Sequence, residues 1–191
     1  MTRRLQRVFT LLIVMVGGTA GCAPVGLDAV RADIAVGQGH LLTTVPFIAQ
    51  EAYWCGPAAL AMVLRYYGAA GDADQIAQAL YLASARGTLN LDLEFYARRQ
   101  GFQARAFEGS LDRLKAEVRQ GRPLVVFQDL GAPLGSVPHF AVLVGYDDRA
   151  GVVVLHSGTT PYRVVPAALF ERAWAARRHW TLLITPAGHP G

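Results

Sequence analysis

A cysteine at position 55 stands in a sequence setting that favours nucleophilic chemistry. Cys55 is followed by Gly56 and Pro57, and an apolar run then continues to Tyr67. Proline suits the first turn of a helix, where its missing N–H is not needed. The pattern therefore predicts a buried helix over Pro57–Tyr67 with Cys55 at its N-terminus. Because the helix dipole and the free N–H groups there favour an anion, we expect a stabilised thiolate, the reactive form of cysteine.

A histidine that could act as the base for this thiol opens a later apolar segment. His139 begins the run His139–Tyr146 after a loop rich in Gly and Pro, which predicts a strand whose first residue faces a cleft. Gln50, shortly before the cysteine, carries an amide that could join the backbone N–H of Cys55 in stabilising an oxyanion. The three residues predict acyl transfer through a thioester, with Cys55 as nucleophile, His139 as general base and Gln50 in the oxyanion hole.

These motifs resemble the double-glycine, bacteriocin-processing peptidases, a family of papain-like cysteine peptidases. The resemblance covers residues 43–185 and points to stand-alone lipoprotein members, since the chain has no nucleotide-binding P-loop pattern. It implies an α+β papain-like fold, a peptide or protein substrate, and neither cofactor, metal nor nucleotide. The residues that carry it are Val45-Pro46-Phe47 with Gln50, Cys55 to Leu60 with Met62, and His139-Phe140-Ala141-Val142 with Gly145-Tyr146-Asp147.

One position departs from that family. Its members usually carry Asp-Pro after the strand that follows the histidine strand, and the carboxylate orients the imidazole. Here the predicted strand Val152–Leu155 is followed by a histidine, Ser157 and a glycine. Asp129 and Ser157 are the two candidates for orienting His139, and a dyad without a third group is the remaining alternative.

Two functions remain open for such a chain. The first is a membrane-tethered cysteine endopeptidase, and the second is a non-catalytic, peptide-binding lipoprotein on a peptidase fold. Acyl transfer to an amine would use the same residues as the peptidase. The presence of Gln50, Cys55 and His139 together favours the enzyme, because function is decided by the site and not by the fold.

The N-terminus has the pattern of a secretion signal. A basic start at Met1–Arg7 is followed by the apolar run Val8–Val16 and by small residues up to Cys22, as in a cleaved signal peptide. Thr-Ala-Gly before Cys22 resembles the bacterial lipobox, although Thr19 stands where an aliphatic residue is usual. We expect Cys22 to be lipidated, which would tether the protein to a membrane; an ordinary secretory signal with an incidental cysteine is the alternative.

The expected organisation is a single folded domain behind that anchor. It comprises a signal peptide over residues 1–21, a tether over 22–42, the peptidase domain over 43–186 and a tail over 187–191. Since Ala23 and Pro24 differ from the aspartate that retains lipoproteins at the inner membrane, we expect the periplasmic face of the outer membrane. Three of the 18 basic residues lie in the signal, which leaves 15 against 14 acidic residues. This balance, without a basic run, argues against a nucleic-acid partner.

Helical patterns fill the first half of the domain and strand patterns the second. This order predicts an α+β fold with a helical lobe packed on an antiparallel sheet. A short strand or an extended entry is expected over Thr43–Ile48. The other predicted helices are Ala73–Leu82, Leu91–Gln100, Arg113–Gln120 and Pro166–Ala176, and the other predicted strands are Phe102–Phe107, Pro123–Phe127, Tyr162–Val165 and His179–Ile184.

The lipid anchor is directly testable. Cys22→Ala should move the protein out of the membrane fraction, as a soluble or unprocessed form, because the acylated side chain is lost. Fractionation and the mass of the mature protein measure this, and Cys55→Ala is the matched control that should stay in the membrane fraction. An unchanged membrane fraction and an unchanged mature mass for Cys22→Ala would refute the anchor.

Overall fold

The chain folds into an α+β structure in which helices pack against an antiparallel sheet. The computed structural model describes residues 24–50, 54–80, 88–131 and 135–188. The predicted signal peptide, Cys22 and the last residues of the predicted tail lie outside these ranges. The helices are α1 Leu27–Ala35, α2 Cys55–Tyr66, α3 Ala73–Leu80, α4 Asn90–Arg99, α5 Leu111–Arg119 and α6 Ala167–Ala175. The strands are β1 Gly39–Leu41, β2 Phe102–Glu108, β3 Leu124–Asp129, β4 Pro138–Asp147, β5 Val152–Ser157, β6 Thr160–Pro166 and β7 Trp180–Pro186.

Helix α2 is the centre of the helical lobe. Every residue from Gly56 to Leu64 is buried, which explains the apolar run seen in the sequence, because a helix surrounded by protein needs no polar face. It packs against α3 and α4 on its lobe side and against β4 of the sheet. The N-terminus of α2 is thereby fixed against the strand that carries His139.

The sheet joins the predicted strands in the order β2-β7-β3-β4-β5-β6, and β1 also pairs with β4. All these pairings are antiparallel. Side chains alternate between the two faces of a strand, and directly paired residues share a face. Phe140, whose ring lies against the start of α2, is therefore on one face, whereas His139 and its partner Gln128 are on the other. Helix α6 covers part of that second face, packing on β3, β5 and β6.

The segment expected to be a tether is instead structured from residue 27 onward. Helix α1 buries Val30 completely, and Leu27 and Ile34 pack on the core beside it. After α1 the chain forms β1, which pairs with the far end of β4. The tether predicted over 22–42 did not include this helix, although Leu27, Val30 and Ile34 have the i, i+3, i+7 spacing of an apolar helix face.

The entry segment, residues 43–50, runs without a strand and is held by hydrogen bonds to the second half of the sheet. The Tyr162 hydroxyl donates to the Thr43 carbonyl over 2.8 Å. The imidazole of His156, fully buried on β5, joins the Val45 carbonyl through Nε2 over 3.1 Å. These bonds lead the chain to Gln50 along a fixed path, so the position of Gln50 depends on β5 and β6.

A pair of valines tests whether α1 belongs to the folded unit. Val30→Ala should lower the free energy of unfolding by about 2 kcal/mol, because it opens space in a packed core. Val36→Ala, the same change at a side chain that is 68% exposed at the end of α1, should change it by less than about 0.5 kcal/mol. Urea unfolding of both variants measures the difference, and equal midpoints would show that α1 does not stabilise the domain.

Candidate active site

The thiol of Cys55 lies at the first residue of α2, as the sequence predicted. Trp54 precedes it and gives the helix no side-chain cap, so the N–H groups of the first turn remain available to other acceptors. The thiol lies against the backbone N–H groups of Phe140, Gly56 and Cys55 itself. It is partly buried and not sealed in the core. Since Phe140 directly follows His139 on β4, the helix start and the histidine strand meet at the sulfur.

Gly56 makes this close approach possible. A Cβ added at Gly56 would lie 3.3 Å from the Phe140 ring and 3.3 Å from the Thr88 side chain. That is tighter than ordinary van der Waals contact, so a larger residue would push the start of α2 away from β4. The glycine after the cysteine thus has a packing role in bringing the thiol to the strand.

The imidazole of His139 is oriented by Ser157. His139 Nε2 lies 2.9 Å from Ser157 Oγ, which joins the start of β4 to the end of β5. Within the described residues, no hydrogen bond joins this imidazole to the Cys55 thiol. With Nε2 held by the hydroxyl, Nδ1 is the ring nitrogen left for proton exchange.

Asp129, the other candidate for this role, is bound elsewhere. Its carboxylate accepts hydrogen bonds from the backbone N–H of Val137 at 2.8 Å, from Ser136 at 2.8 Å and from Gly131 at 3.1 Å. It also forms an ion pair with Arg177 at 2.8 Å. The Val137 N–H is the largest influence among these, and together they lower the pKa of Asp129 to about 2. This carboxylate closes the loop before β4, and Ser157 is the group beside the imidazole.

Gln50 is clamped to the turn that follows Ser157. Its backbone N–H donates to the Gly158 carbonyl over 2.9 Å, and its side-chain Oε1 accepts from the Gly158 N–H over 2.9 Å. The Nε2 of Gln50 is buried and has no hydrogen-bond partner among the described residues. Gly158 has a φ of 59°, a left-handed conformation that glycine adopts without strain. The clamp therefore leaves one amide N–H₂ oriented and unused, as an oxyanion donor requires.

His156, adjacent to Ser157, has a structural role that its sequence context did not reveal. Its Nε2 faces the Val45 carbonyl and its Nδ1 accepts the backbone N–H of Tyr162 over 3.1 Å. An imidazole that donates with Nε2 and accepts with Nδ1 is neutral, and burial lowers its pKa. His156 thus fixes the entry segment to β6.

Burial shifts the pKa values of Cys55 and His139 in the directions that disfavour a thiolate and an imidazolium. Burial raises the pKa of the Cys55 thiol, and the Phe140, Gly56 and Cys55 N–H groups offset this only in part. Burial also lowers the pKa of His139 to about 4, with a further lowering from the Arg163 guanidinium. Both directions favour the uncharged forms, a thiol at Cys55 and a neutral imidazole at His139. The expectation of a stabilised thiolate in the resting protein is therefore wrong, because desolvation outweighs the helix start.

Arg163 is a residue near the site that the sequence analysis missed. It lies on β6 opposite Leu155, and its charge reaches the imidazole. Only the pairing of β6 with β5 brings it there, so no local motif could have indicated it. Within the described part of the chain, no cluster of His, Cys, Asp or Glu could hold a metal ion, and no helix is long and apolar enough to cross a membrane.

The influence of Arg163 can be measured on the imidazole itself. Arg163→Gln should raise the pKa of His139 above about 4, because removing a nearby positive charge favours the imidazolium. The value should stay below the ordinary 6.5 or so, since burial is the larger cause. Titration of the His139 ring by NMR measures it, with Arg149→Gln, whose partner is the distant Asp33, as control. An unchanged His139 titration in Arg163→Gln would contradict the assignment.

Solved structures share this architecture. A C39-like protein from Bacillus anthracis matches with 22% identity and a TM-score of 0.67, over 80% of this chain and 100% of the other. A double-glycine-motif protease from an AMS/PCAT transporter, solved with a leader peptide, matches with 25% identity and a TM-score of 0.60, over 75% and 92%. The peptidase domain of Streptococcus ComA, a bifunctional ABC transporter involved in quorum sensing, matches with 18% identity and a TM-score of 0.57, over 74% and 98%.

The predicted resemblance and the predicted α+β papain-like fold are both confirmed by these findings. No curated protein sequence matches the chain. The model of the Peptidase_C39 like family matches residues 42–181, a range that includes α2, the complete strands β2 to β6 and every residue of the candidate site. The chain belongs to the Peptidase_C39 like family.

Proposed function

We propose that this protein is a cysteine endopeptidase that hydrolyses peptide bonds through a thioester on Cys55. The observation that carries the proposal is the contact of the Cys55 thiol with the backbone of Phe140, the residue after His139. A nucleophile and a base on neighbouring elements, with a third group orienting the base, form the arrangement that covalent acyl transfer needs. Ser157 supplies that third group at 2.9 Å from the imidazole.

The reaction begins with a neutral pair. His139 takes the proton from the Cys55 thiol as the sulfur attacks the scissile carbonyl carbon, so the charge develops only in the transition state. The Cys55 N–H and the unpartnered Nε2 of Gln50 donate hydrogen bonds to the resulting oxyanion. The tetrahedral intermediate collapses, the C–N bond breaks, and the imidazolium gives its proton to the leaving amine.

Hydrolysis of the thioester completes the cycle. His139 removes a proton from a water molecule, which attacks the acyl carbon, and the C–S bond breaks with return of the proton to Cys55. The hydroxyl of Ser157 carries no charge, so it orients the imidazole but stabilises the imidazolium less than a carboxylate would. Because His139 has a low pKa and is oriented by the neutral Ser157, we expect slower turnover than at a site with a thiolate–imidazolium ion pair.

The substrate is proposed to be a peptide or a protein segment outside the cytoplasm. The AMS/PCAT protease was solved with a leader peptide, which supports a peptide in the corresponding cleft of this chain. The lipobox-like sequence before Cys22 supports a membrane tether at the cell envelope, on the periplasmic face of the outer membrane. A tethered enzyme would act on polypeptides that pass close to that membrane.

Cleavage of a peptide library, read by mass spectrometry, tests the reaction. Wild type should produce new peptide ends, whereas Cys55→Ala and His139→Ala should produce none above background, because each removes a partner in proton transfer or bond formation. Gln50→Ala should still bind the cleaved peptides but slow turnover by roughly 100-fold or more, the usual effect of losing one oxyanion donor. Ser157→Ala should slow turnover less than His139→Ala.

The matched control is a histidine on β1, which pairs with the far end of the strand that carries His139. His40 lies on β1 opposite Tyr146, and His40→Ala should cleave as wild type does. Cleavage by Cys55→Ala at the wild-type rate would refute the thioester mechanism. Peptide binding without cleavage by the wild-type protein would instead identify the non-catalytic peptide-binding module.

A further inference from the structure

A second concavity is lined in part by Ser157, and Cys55 is not among its lining residues. Its volume is about 250 Å³, and it lies between β3, β5, β6 and α6. Leu155, Val165 and Phe170 supply apolar parts of its wall. Ser157 belongs both to this cavity and to the His139 hydrogen bond, so a molecule in the cavity would lie one residue from the candidate base.

Gln128 places an unsatisfied donor in this cavity. The residue is paired with His139 across β3 and β4 and is only 3% exposed. Its Nε2 is buried and has no hydrogen-bond partner among the described residues. A buried amide N–H₂ without an acceptor costs free energy, so a ligand that supplies an acceptor would bind favourably there.

Two arginines stand at the rim of the same cavity. Arg163 on β6 and Arg172 on α6 line it, and in the described ranges neither forms an ion pair with a carboxylate. Asp129 also lines the cavity, but its oxygens already accept three hydrogen bonds and pair with Arg177. The two rim guanidiniums and the Gln128 amide therefore present donors, and two positive charges, without a matching acceptor.

We propose that this cavity is a subsite for a substrate carboxylate, either an acidic side chain or the C-terminal carboxylate of a peptide. The inference rests on the proposed function and names a specificity that the function itself does not require. A carboxylate oxygen would accept from Gln128 Nε2, and the guanidiniums of Arg163 and Arg172 would pair with the charge. Guanidinium and carboxylate form strong, charge-assisted hydrogen bonds, and the apolar wall would pack on the aliphatic part of the bound residue.

Occupation of this subsite would also act on the reaction. A carboxylate beside Arg163 would offset the positive charge that disfavours protonation of His139. The base would then hold the thiol proton more readily only when an acidic substrate is in place. Substrates that carry the carboxylate would be favoured both in binding and in proton transfer.

Binding to the inactive Cys55→Ala protein tests the subsite without any need for turnover. The probes are peptide amides of sequence Ala-Ala-Gly-Gly-Ala-Ala-Ala with a neutral fluorescent dye at the N-terminus. One set carries Glu at each Ala position in turn, a second set carries Gln at the same positions, and the unsubstituted peptide is also made with a free C-terminal carboxylate. Fluorescence anisotropy measures each dissociation constant.

At least one carboxylate peptide should bind roughly tenfold more tightly than its neutral twin, the size expected of a charge-assisted contact. The Glu series and the free C-terminus distinguish the two sources of carboxylate. Arg163→Gln and Arg172→Gln, made in the Cys55→Ala background, should each reduce the preference, and Gln128→Leu should weaken it further. Arg105→Gln, which alters an arginine in a separate cavity beside β2, should keep the preference.

Equal affinity for every acidic and neutral pair would overturn the inference, and so would binding of none of the probes. A preference that survives Arg163→Gln and Arg172→Gln together would overturn it as well. These outcomes are separate from those for catalysis. If the wild-type protein cleaves a library without a preference for acidic peptides, the peptidase is supported and the subsite is refuted. If it binds acidic peptides selectively but cleaves none, the subsite is supported and the peptidase is refuted.

Discussion

The two hydrogen bonds between Gln50 and Gly158 are the constraint on which the candidate site depends. They hold the chain just before α2 against the turn just after β5. Because α2 begins five residues after Gln50 and Ser157 precedes Gly158, one clamp brings the helix lobe and the sheet lobe to the same point. The glycine supplies both bonding groups from its backbone, and its left-handed conformation lets them face the same amide-bearing residue.

Burial explains why the site favours a neutral Cys55 thiol, although a helix N-terminus alone favours a thiolate. The N–H groups around the sulfur favour a thiolate, but loss of water costs the charged form more. The same loss disfavours the imidazolium of His139, and the Ser157 hydroxyl brings no charge to compensate. His139, Gln50 and Ser157 are consequently held by neutral hydrogen bonds. The charged residues Asp129, Arg163 and Arg172 line the adjoining cavity, where Asp129 pairs with Arg177.

The sequence predicted those parts of the site that local patterns determine. The buried helix with Cys55 at its start, the strand opened by His139 and the α+β order of elements all follow from periodicity and from turn residues. Which of Asp129 and Ser157 orients His139 depended on how β3, β4 and β5 are paired. The positions of Gln128 and Arg163 depended on the register of those strands and of β6. Strand pairing joins residues that are far apart in the chain, so no short sequence motif can predict it. Helix α1 was missed although its three core-facing residues, Leu27, Val30 and Ile34, follow helical spacing.

His139, which is half-buried, and His156, which is buried, also couple the fold to the proton concentration of its surroundings. The folded-state pKa of His139 is about 4, and that of His156 is lowered as well, whereas in the unfolded chain both side chains titrate near their ordinary value of about 6.5. Below that value the unfolded chain takes up protons that the folded chain refuses, so acid favours unfolding. Stability is fully present above pH 6.5 or so and falls as the pH drops toward about 4. Protonation of His156 would turn Nδ1 from an acceptor into a donor, so the hydrogen bond from the Tyr162 N–H to this imidazole would be lost in acid.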